Sequence, residues 1–456
     1  MIETLEFFFE NLGNILFGSW LIYILVGLGI YYTFLTKFIQ IRKFKYVMSR
    51  FFKDVTDKSN KDTDEISPVQ ALLTAIGSCV GSGNIVGVST AIYFGGPGTL
   101  FWMWLSAFFG MATKFSEIVL GIKYRGKDSN GEHYGGPMFY ISKAFKTPIV
   151  GIVVAILLFI QNAGGTLIQS NTISNVVMDL VNIHPLIVGV SFAGCLFFVV
   201  SGGFKRVVTF AQVIVPFMAS LYVIVGIIII IINIESVPSV FASIFKQAFS
   251  LNAGVGAAAG LGMREAMRYG VARGLYSNEA GEGSAAVIHS TVSGTTPVEQ
   301  GLFGVVEVFI DTIVICSTTG LAILCSGVPL DGANAATLAA KSFSTVMPIF
   351  GSIVSVSLLL FCTTSLIGQW YFGHVCLTYL NIPYLDRLYK FIFCIAIILG
   401  SVSSIKLVWL IQDCALGLLI IPNIIALFIL SPEVRAEVSK YDNQCTTTQK
   451  NDRSII

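Results

Sequence analysis

Long apolar runs dominate this chain, and each is about as long as a helix that crosses a lipid bilayer. An α-helix rises 1.5 Å per residue, so about 20 residues cross a hydrocarbon core of about 30 Å. The predicted spans lie at 15–36, 68–93, 97–122, 147–169, 185–203, 207–233, 238–272, 298–326, 344–379, 388–404 and 406–431. Charged residues make up only 12% of the chain, against roughly 25% in soluble domains. The sequence therefore predicts an all-α polytopic membrane protein with eleven transmembrane helices.

The positions of the Lys and Arg residues predict how these helices are oriented, because basic residues near helix ends stay in the cytoplasm. Placing the loop 37–67 in the cytoplasm puts 25 of the 28 basic residues on that side, among them Arg268 and Arg273. The three basic residues left outside are Lys246, Lys341 and Lys406. We therefore expect the N-terminus outside and the tail, 432–456, in the cytoplasm.

Two features of the N-terminal part have simpler explanations than targeting or nucleic-acid binding. The first apolar run lacks a basic start and a small-residue cleavage site, so we expect it to be retained as a helix. The basic and aromatic residues of the loop 37–67 are expected to anchor that loop at the membrane surface rather than to bind nucleic acid.

The sequence contains no pattern that indicates an enzyme. The nine cysteines form no CxxC pair, and the four histidines show no metal-ligand spacing. Nucleotide-binding and hydrolase motifs are also missing from the sequence. We predict no catalytic residue, no cofactor and no transition-metal site.

The second apolar run is interrupted by the segment AIGSCVGSGNIVGVST at 75–90, which contains four glycines and Asn84. Hydrocarbon cannot satisfy free backbone N–H and C=O groups, so a broken helix persists only where protein or a polar cavity surrounds it. The freed backbone groups are then able to bind a solute.

A second glycine-rich segment, LNAGVGAAAGLG at 251–262, interrupts the seventh run. After the first helix, ten helices remain, and they divide into two sets of five with opposite orientation, each beginning with an interrupted helix. Paired interruptions of this kind are typical of secondary transporters built from inverted repeats. We predict an extra N-terminal helix within 1–36, a first repeat at 68–233 and a second at 238–431. Close helix packing at small residues is the alternative explanation.

Four segments resemble the alanine/glycine:cation symporter family: GSGNIVGVSTAIYFGGPGTLFWMWLSAFFGMATKFSE, EHYGGPMFYI, RYGVARGLYSNEAGEGSA and FIDTIVICSTTG. The resemblance extends over nearly the whole chain. It implies a sodium-coupled amino-acid importer of the prokaryotic inner membrane, with the leucine-transporter-like fold of the neurotransmitter:sodium symporters. The expected partners are an amino acid, sodium and the lipid bilayer, and the expected functional unit is a monomer.

The chemistry of an amino acid suggests roles for residues of the first interruption. A carboxylate suits the free N–H groups at the start of a half-helix. Gly81 and Gly83 allow the backbone to approach it, and the Asn84 amide is able to donate to it or, alternatively, to cap the helix.

The ammonium group of an amino acid needs oxygen acceptors. The candidates are the carbonyl of Cys79, carbonyls within 257–260, and Gln169, which resembles the family's glutamine at the site. Gln169 alternatively lies in an outer vestibule.

The resemblance also implies a sodium site. Thr364 and Ser365 match the family's Ser-Thr pair, which together with the carbonyls of Gly77 and Val80 would surround the ion. Hydroxyls in membrane helices often bond to their own helix instead. Proton coupling is the alternative, but neither predicted interruption contains an acidic residue, which disfavours it.

Two departures from the family pattern concern the size of the substrate. The family's GGFAG is GAAAG here, with Ala258 in place of phenylalanine, and Gln369 stands where tryptophan is expected, one residue before Trp370. Losing aromatic walls enlarges a pocket unless neighbours fill it. The resemblance implies a small neutral amino acid of the alanine/glycine class. The alternative from these two departures is a roomier and more polar pocket, suited to glutamine or another polar amino acid, unless Trp370 fills the space.

Charged residues inside membrane spans are functional candidates by default. The predicted spans contain Lys114, Glu117, Glu307 and Asp311. Lys114 and Glu117 are three residues apart on one helix and are expected to pair. Glu279 and Glu282 are expected to form a cytoplasmic gate with the basic residues that precede them. An ion channel is the alternative from another class, which the paired interruptions disfavour.

Overall fold

The computed structural model describes residues 2–16, 19–56, 65–128, 131–250, 262–330, 337–403 and 406–453. In these ranges the chain is helical, apart from connecting segments and one antiparallel pair of two-residue strands, Gly126–Lys127 (β1) and His133–Tyr134 (β2). The predicted all-α fold class is confirmed.

The helices fall into three groups along the chain. The N-terminal group contains α1 (Ile2–Leu16), α2 (Ser19–Leu35), α3 (Ile39–Arg42) and α4 (Phe44–Thr56). The next group contains α5 (Pro68–Cys79), α6 (Val88–Gly95), α7 (Thr99–Lys123), α8 (Pro137–Phe145), α9 (Pro148–Val181), α10 (Pro185–Ser201) and α11 (Gly203–Ile232). The last group contains α12 (Val237–Ala248), α13 (Met263–Asn278), α14 (Ala285–His289), α15 (Pro297–Val308), α16 (Ser317–Cys325), α17 (Leu338–Ser344), α18 (Pro348–Tyr379), α19 (Pro383–Val402) and α20 (Lys406–Arg453).

Six described helices are long and apolar enough to cross a membrane: α7, α9, α11, the continuous helix Pro297–Cys325, α18 and α20. The pair formed by α5 and the segment Gly83–Gly95, bent by 56°, makes a seventh candidate. Two shorter apolar helices, Trp20–Leu35 and Pro185–Ser201, also coincide with predicted spans. The prediction of a polytopic membrane protein is therefore confirmed.

The extra N-terminal segment contains one helix that the apolar pattern did not predict. Before α2, the amphipathic helix α1 packs against α20, where the Cys414 thiol donates to the Phe9 carbonyl at 3.3 Å. Lys406 Nζ and Glu6 Oε2 pair at 2.8 Å beside it. Because Phe7 and Phe8 stay exposed, α1 presents an apolar face away from the protein.

The first interruption lies where the glycines predicted it. Ser67 caps α5 in a reciprocal pair with Gln70, and Pro68 occupies the first helical turn. The helix ends at Cys79, Val80 is extended, and a π-helical turn at Gly83–Gly87 leads into α6. The chain bends here because the backbone leaves the α-helical hydrogen-bond pattern at Val80.

A second interruption in the described residues is Glu279–Ser284, between α13 and α14. The predicted interruption at 251–262 lies outside the described residues, except for Gly262. The backbone of Glu279–Ser284 enters the left-handed region at Glu279, with φ 56°, and turns through positive φ again at Gly281 and Gly283. The two acidic residues made this segment resemble an exposed loop, so the apolar pattern did not identify it.

The start of α13 lies in the other half of the molecule from the one that the basic residues predicted. A Cβ at Gly95 would lie 3.1 Å from the Tyr269 Cβ, so the start of α13 packs beside the end of α6. The end of α12 lies there too, since the Gly98 N–H donates to Gln247 at 2.8 Å. Arg268 and Arg273 therefore lie in the half that the topology prediction calls extracellular, not in the cytoplasmic half. The orientation of the whole molecule stays a prediction.

Candidate functional site

Two side chains accept hydrogen bonds from the free backbone N–H groups that follow the end of α5. The Gly81 N–H donates to Asn84 Oδ1 at 3.0 Å, and the Ser82 N–H donates to Gln169 Oε1 at 3.3 Å. These are the groups that sequence analysis predicted to meet a substrate carboxylate. In this structure side-chain amide oxygens occupy them.

Gln169 lies beside the interruption, as the resemblance implied. Its Nε2 donates to Ser365 Oγ at 3.3 Å, and Ser365 Oγ donates to the Ser78 carbonyl at 2.9 Å. A Cβ at Gly81 would lie 2.7 Å from Gln169 Nε2 and 3.2 Å from Ser365 Oγ. The absence of a side chain at Gly81 therefore lets α5, α9 and α18 meet at one point.

A cavity of about 250 Å³ opens directly against this point. Its wall is formed by Ser82, Gly83, Val86, Gly87, Thr90, Thr172, Arg273, Tyr276 and Trp409. Ser82 Oγ is buried there and has no hydrogen-bond partner among the described residues. Arg273, Tyr276 and Trp409 were not predicted as wall residues, because the sequence pattern did not place α13 and α20 beside the first interruption. A cationic side chain close to an interrupted helix was the available signal.

The Asn84 side-chain amide is already hydrogen-bonded to groups of the protein. Its Nδ2 donates to Asp311 Oδ1 at 2.6 Å, while its Oδ1 accepts from Gly81. Asn84 is fully buried. The prediction that this amide donates to the substrate therefore conflicts with the geometry, which assigns its donor to Asp311.

Asp311 joins the two interrupted helices. Its second oxygen, Oδ2, accepts from Ser277 Oγ and from Thr312 Oγ1, both at 2.8 Å. Ser277 belongs to the last turn of α13, and Asp311 lies in the π-helical segment Phe309–Cys316 between α15 and α16. Among the described residues this carboxylate has hydrogen-bond donors but no Lys or Arg partner. Asp311 was the least explained charge in the sequence, and the structure places it between both interruptions.

The predicted sodium ligands fall into two neighbouring places. Thr364 and Gly77 line a small cavity of about 10 Å³, which is close to the volume that one water molecule requires. Thr364 Oγ1 also donates to the Phe361 carbonyl at 3.0 Å within its own helix. Ser365 lies on the other side, against Ser78, and Val80 caps the end of α5. Oxygen atoms and space for a small ion are thus close together.

Two further predicted pocket residues lie away from the cavity that Ser82 lines. Gln369 packs on Gly165, one helical turn from the contact of Gln169 with Ser365, and its Oε1 is buried without a partner among the described residues. The Trp370 ring stacks on His374 at 5.6 Å and lines a separate cavity of about 660 Å³. Trp370 therefore does not fill space beside Gln169.

Of the remaining predicted pocket residues, Cys79 is described. Cys79 is buried at the end of α5, where its thiol lies 3.5 Å from the Ile76 carbonyl. Ala258 and the carbonyls of 257–260 lie outside the described residues.

The buried charges around the second interruption pair differently from the prediction. Lys114 Nζ lies 2.6 Å from Glu307 Oε1 and donates to the Asn278 carbonyl at 2.6 Å. Glu117 accepts instead from Asn423 Nδ2 at 2.7 Å, so the predicted Lys114–Glu117 pair is wrong. Tertiary partners replace the neighbour on the same helix because all of these groups are buried.

The predicted cytoplasmic gate is also wrong. Arg268 contacts Glu265 in its own helix, with 3.9 Å between Nη1 and Oε2, and lies over the Tyr269 ring. Glu279 accepts from Ser284 at 2.5 Å inside the interruption. In the part of the chain that the structure describes, no group of three or more His, Cys, Asp or Glu side chains is arranged to hold a metal ion.

Comparison with known proteins adds independent findings. Residues 2–455 match the model of the sodium:alanine symporter family. The sodium/alanine symporter AgcS of Methanococcus maripaludis is 36% identical over 451 residues, which cover 97% of this chain and 98% of that protein. The probable sodium/glutamine symporter GlnT of Bacillus subtilis is 35% identical over 453 residues, which cover 97% of this chain and 92% of the relative.

A likeness to a solved structure supports the fold. The crystal structure of a mutant of the manganese transporter of Eremococcus coleocola superposes with a TM-score of 0.51 at 13% identity. The match covers 81% of this chain and 77% of that one. At this identity the likeness concerns the fold alone.

Proposed function

The chain belongs to the sodium:alanine symporter family, and from this premise we propose that it imports a small neutral amino acid together with sodium by alternating access. The observation that carries the proposal is the meeting of Gly81, Gln169 and Ser365 beside a cavity of about 250 Å³. An interrupted helix beside a polar cavity supplies backbone groups that recognise both ends of an amino acid.

The substrate carboxylate binds at the broken end of α5 in this proposal. It replaces Gln169 Oε1 on the Ser82 N–H, which stays satisfied by the exchange. The unpartnered Ser82 hydroxyl and the Arg273 guanidinium line the same cavity and add a donor and a positive charge. Gly83 leaves room for Tyr276, whose Cδ1 would lie 3.2 Å from an added Cβ.

Gln169 then serves the other end of the substrate. Released from Ser82, its amide oxygen is available to the ammonium group, together with the carbonyl of Cys79 at the end of α5. Asn84 acts indirectly in this account, because it holds the turn at Gly81 and is itself held by Asp311.

Sodium binds beside Gly77, Val80, Thr364 and Ser365 in the same proposal. Hard cations prefer oxygen ligands, and rotation of the Thr364 hydroxyl away from the Phe361 carbonyl directs that oxygen toward Gly77. Because the ion and the substrate share α5, filling one site orders the backbone of the other.

Alanine or glycine is the proposed substrate class, and glutamine is the second candidate. One observation favours glutamine: Gln369 Oε1 is buried and unpartnered one turn from Ser365, so it is able to accept from a side-chain amide. Relatives of similar identity carry both substrate names. We further propose a monomer in a prokaryotic inner membrane with an external N-terminus.

Two pairs of variants in proteoliposomes test the assigned roles. Thr364→Val is compared with Thr363→Val, a neighbour that bonds to its own helix at 2.6 Å. Gln169→Ala is compared with Gln161→Ala, which lies on the same helix. We expect Thr364→Val to raise the sodium concentration for half-maximal uptake and Gln169→Ala to raise the KM for the amino acid. Equal behaviour of each variant and its control would contradict the assignment.

A further inference from the structure

A second cavity, of about 200 Å³, lies on the other side of α13 and leads to the second interruption. Helices α1, α2, α13 and α20 form its walls, and Glu10, Arg268, Arg273, Asp413 and Glu282 are its charged wall residues. Glu10 and Arg268 are exposed, whereas Glu282 is only 3% exposed. The cavity thus connects an exposed end with a buried carboxyl group.

Glu282 differs from the other buried acids of this region. Glu307 contacts Lys114 and His289, Glu117 accepts from Asn423, and Asp311 accepts from three side chains. Oε2 of Glu117 and Oε2 of Glu282 are both buried with no hydrogen-bond partner in the part of the chain that is described, but the other oxygen of Glu117 accepts from Asn423. The structure gives the Glu282 carboxyl no such side-chain donor among the described residues, and Glu282 lines the cavity.

The charges around Glu282 do not compensate an ionised carboxylate. Glu279 lies in the same interruption, and Glu117 projects from α7 toward its backbone. The buried ammonium group of Lys114 is already bound to Glu307 and to the Asn278 carbonyl. Asp413 on α20 adds another acid to the cavity wall, and α2 contributes only Leu21, Ile22 and Leu25.

The basic residues of the cavity wall, Arg268 and Arg273, lie on α13, before the interruption that contains Glu282. Arg268 contacts Glu265 in its own helix, and Arg273 lies over the Tyr276 ring at 5.9 Å, where it also borders the substrate cavity. A buried anion without a partner is costly, and a proton removes that cost without other ligands.

Glu282 also lies in the turn between α13 and α14, where a change of charge is able to alter the angle between the two helices. It lies between Gly281 and Gly283, both of which have positive φ, at 103° and 79°. Asn423 on α20 holds the Gly281 carbonyl at 2.8 Å. The half-helices α13 and α14 are joined only through this short segment, so its charge acts on the hinge between them.

We propose that Glu282 is a proton-binding site that the second cavity supplies and that its protonation controls the hinge between α13 and α14. A hydronium ion in the cavity transfers its proton to the Glu282 carboxylate, an O–H bond forms there, and a water molecule is left behind. Proton coupling was disfavoured because neither predicted interruption contains an acidic residue, whereas the interruption at Glu279–Ser284 contains two.

Infrared difference spectroscopy of the purified, full-length protein between two pH values tests this site without any transport. We compare wild type with Glu282→Gln and with Glu10→Gln, the acid at the exposed end of the same cavity. The expected result is a carbonyl band of a buried carboxylic acid in wild type and in Glu10→Gln that is lost in Glu282→Gln. The same band in all three proteins would overturn the proposal.

The hinge role rests on the proposed function, because its readout is sodium-driven uptake at different external pH values. We expect the pH dependence of wild type to persist in Glu10→Gln and to be lost in Glu282→Gln. An unchanged pH profile in Glu282→Gln contradicts the hinge role. If Glu282→Gln alters the sodium dependence instead, the group binds sodium and the proton proposal is wrong.

The two proposals fail in distinguishable ways. Absence of sodium-driven uptake in wild type would contradict the proposed function and leave the infrared result decisive for Glu282. If Glu282→Gln is inactive in uptake, binding of the amino acid to the purified variant is measured at several pH values instead. Loss of the pH dependence of wild type supports the hinge role, and an unchanged pH dependence contradicts it.

Discussion

Gly81 is the position at which one methyl group should disturb the site most. A Cβ there would lie 2.7 Å from Gln169 Nε2, whereas ordinary contacts lie at 3.4–4 Å. Gly81 does not have a positive φ, so alanine fits its backbone and the effect comes from this contact alone. Gln169 must move by several tenths of an ångström, and its two hydrogen bonds, both 3.3 Å long, lengthen or break.

The size of the effect follows from the bond that remains when the substrate is bound, from Gln169 Nε2 to Ser365 Oγ, because the substrate replaces Gln169 on the Ser82 N–H. Such a bond contributes about 0.5–1.5 kcal/mol, so Gly81→Ala should cost about 0.5–1.5 kcal/mol in substrate binding. Since every 1.4 kcal/mol is about tenfold in affinity, the KM for uptake should rise roughly 2- to 12-fold. Gly194→Ala is the control, because the described structure places nothing within 4 Å of a Cβ there.

A double-mutant cycle with Gln169→Ala separates this mechanism from direct obstruction of the substrate. If the methyl group acts through Gln169, adding Gly81→Ala to Gln169→Ala should change the KM little further. Additive effects, or a Gly81→Ala protein that behaves like Gly194→Ala, would refute the reasoning.

Other variants probe the groups around the two interruptions. Asp311→Ala leaves Asn84 and Ser277 without their acceptor, which costs about 1–3 kcal/mol for each unsatisfied group. The melting temperature and the rate of uptake should therefore both fall further than in Asp311→Asn. Equal losses in the two variants would contradict this. Lys114→Met leaves the buried Glu307 carboxylate without its ammonium partner and should lower the free energy of unfolding by about 3–5 kcal/mol. Adding Glu307→Gln should restore a large part of the melting temperature. A double variant that melts at the Lys114→Met temperature would count against the pair. Arg273→Gln should raise the KM for the amino acid and leave the sodium dependence unchanged, and the reverse pattern would remove Arg273 from the substrate site.

The membrane-spanning helices were predictable from the sequence, because the bilayer sets their length and their apolar composition. A bilayer requires apolar helices of a certain length, so runs such as 97–122 and 207–233 identify α7 and α11 with small errors at their ends. The glycines of 75–90 identified the first interruption, since no continuous helix explains four of them together with Asn84.

The parts that depend on tertiary contacts were not predictable in the same way. The interruption at Glu279–Ser284 was not predicted, because its two acidic residues, Glu279 and Glu282, resemble an exposed loop rather than a break inside an apolar helix. Lys114 and Glu117 satisfy the spacing rule for a helical pair, yet burial gave Lys114 the partner Glu307 from α15. The contact of Gln169 with Ser365 was available only from the resemblance, since the two residues are 196 positions apart.

The most direct test of the account is uptake of labelled alanine and labelled glutamine into proteoliposomes under an inward sodium gradient, repeated with potassium in place of sodium. The account predicts accumulation of alanine that collapses when potassium replaces sodium, and preference for glutamine would show that the pocket near Gln369 accepts a larger side chain. Equal accumulation of either amino acid with both ions would contradict sodium symport, and with it the roles given to Thr364 and Ser365.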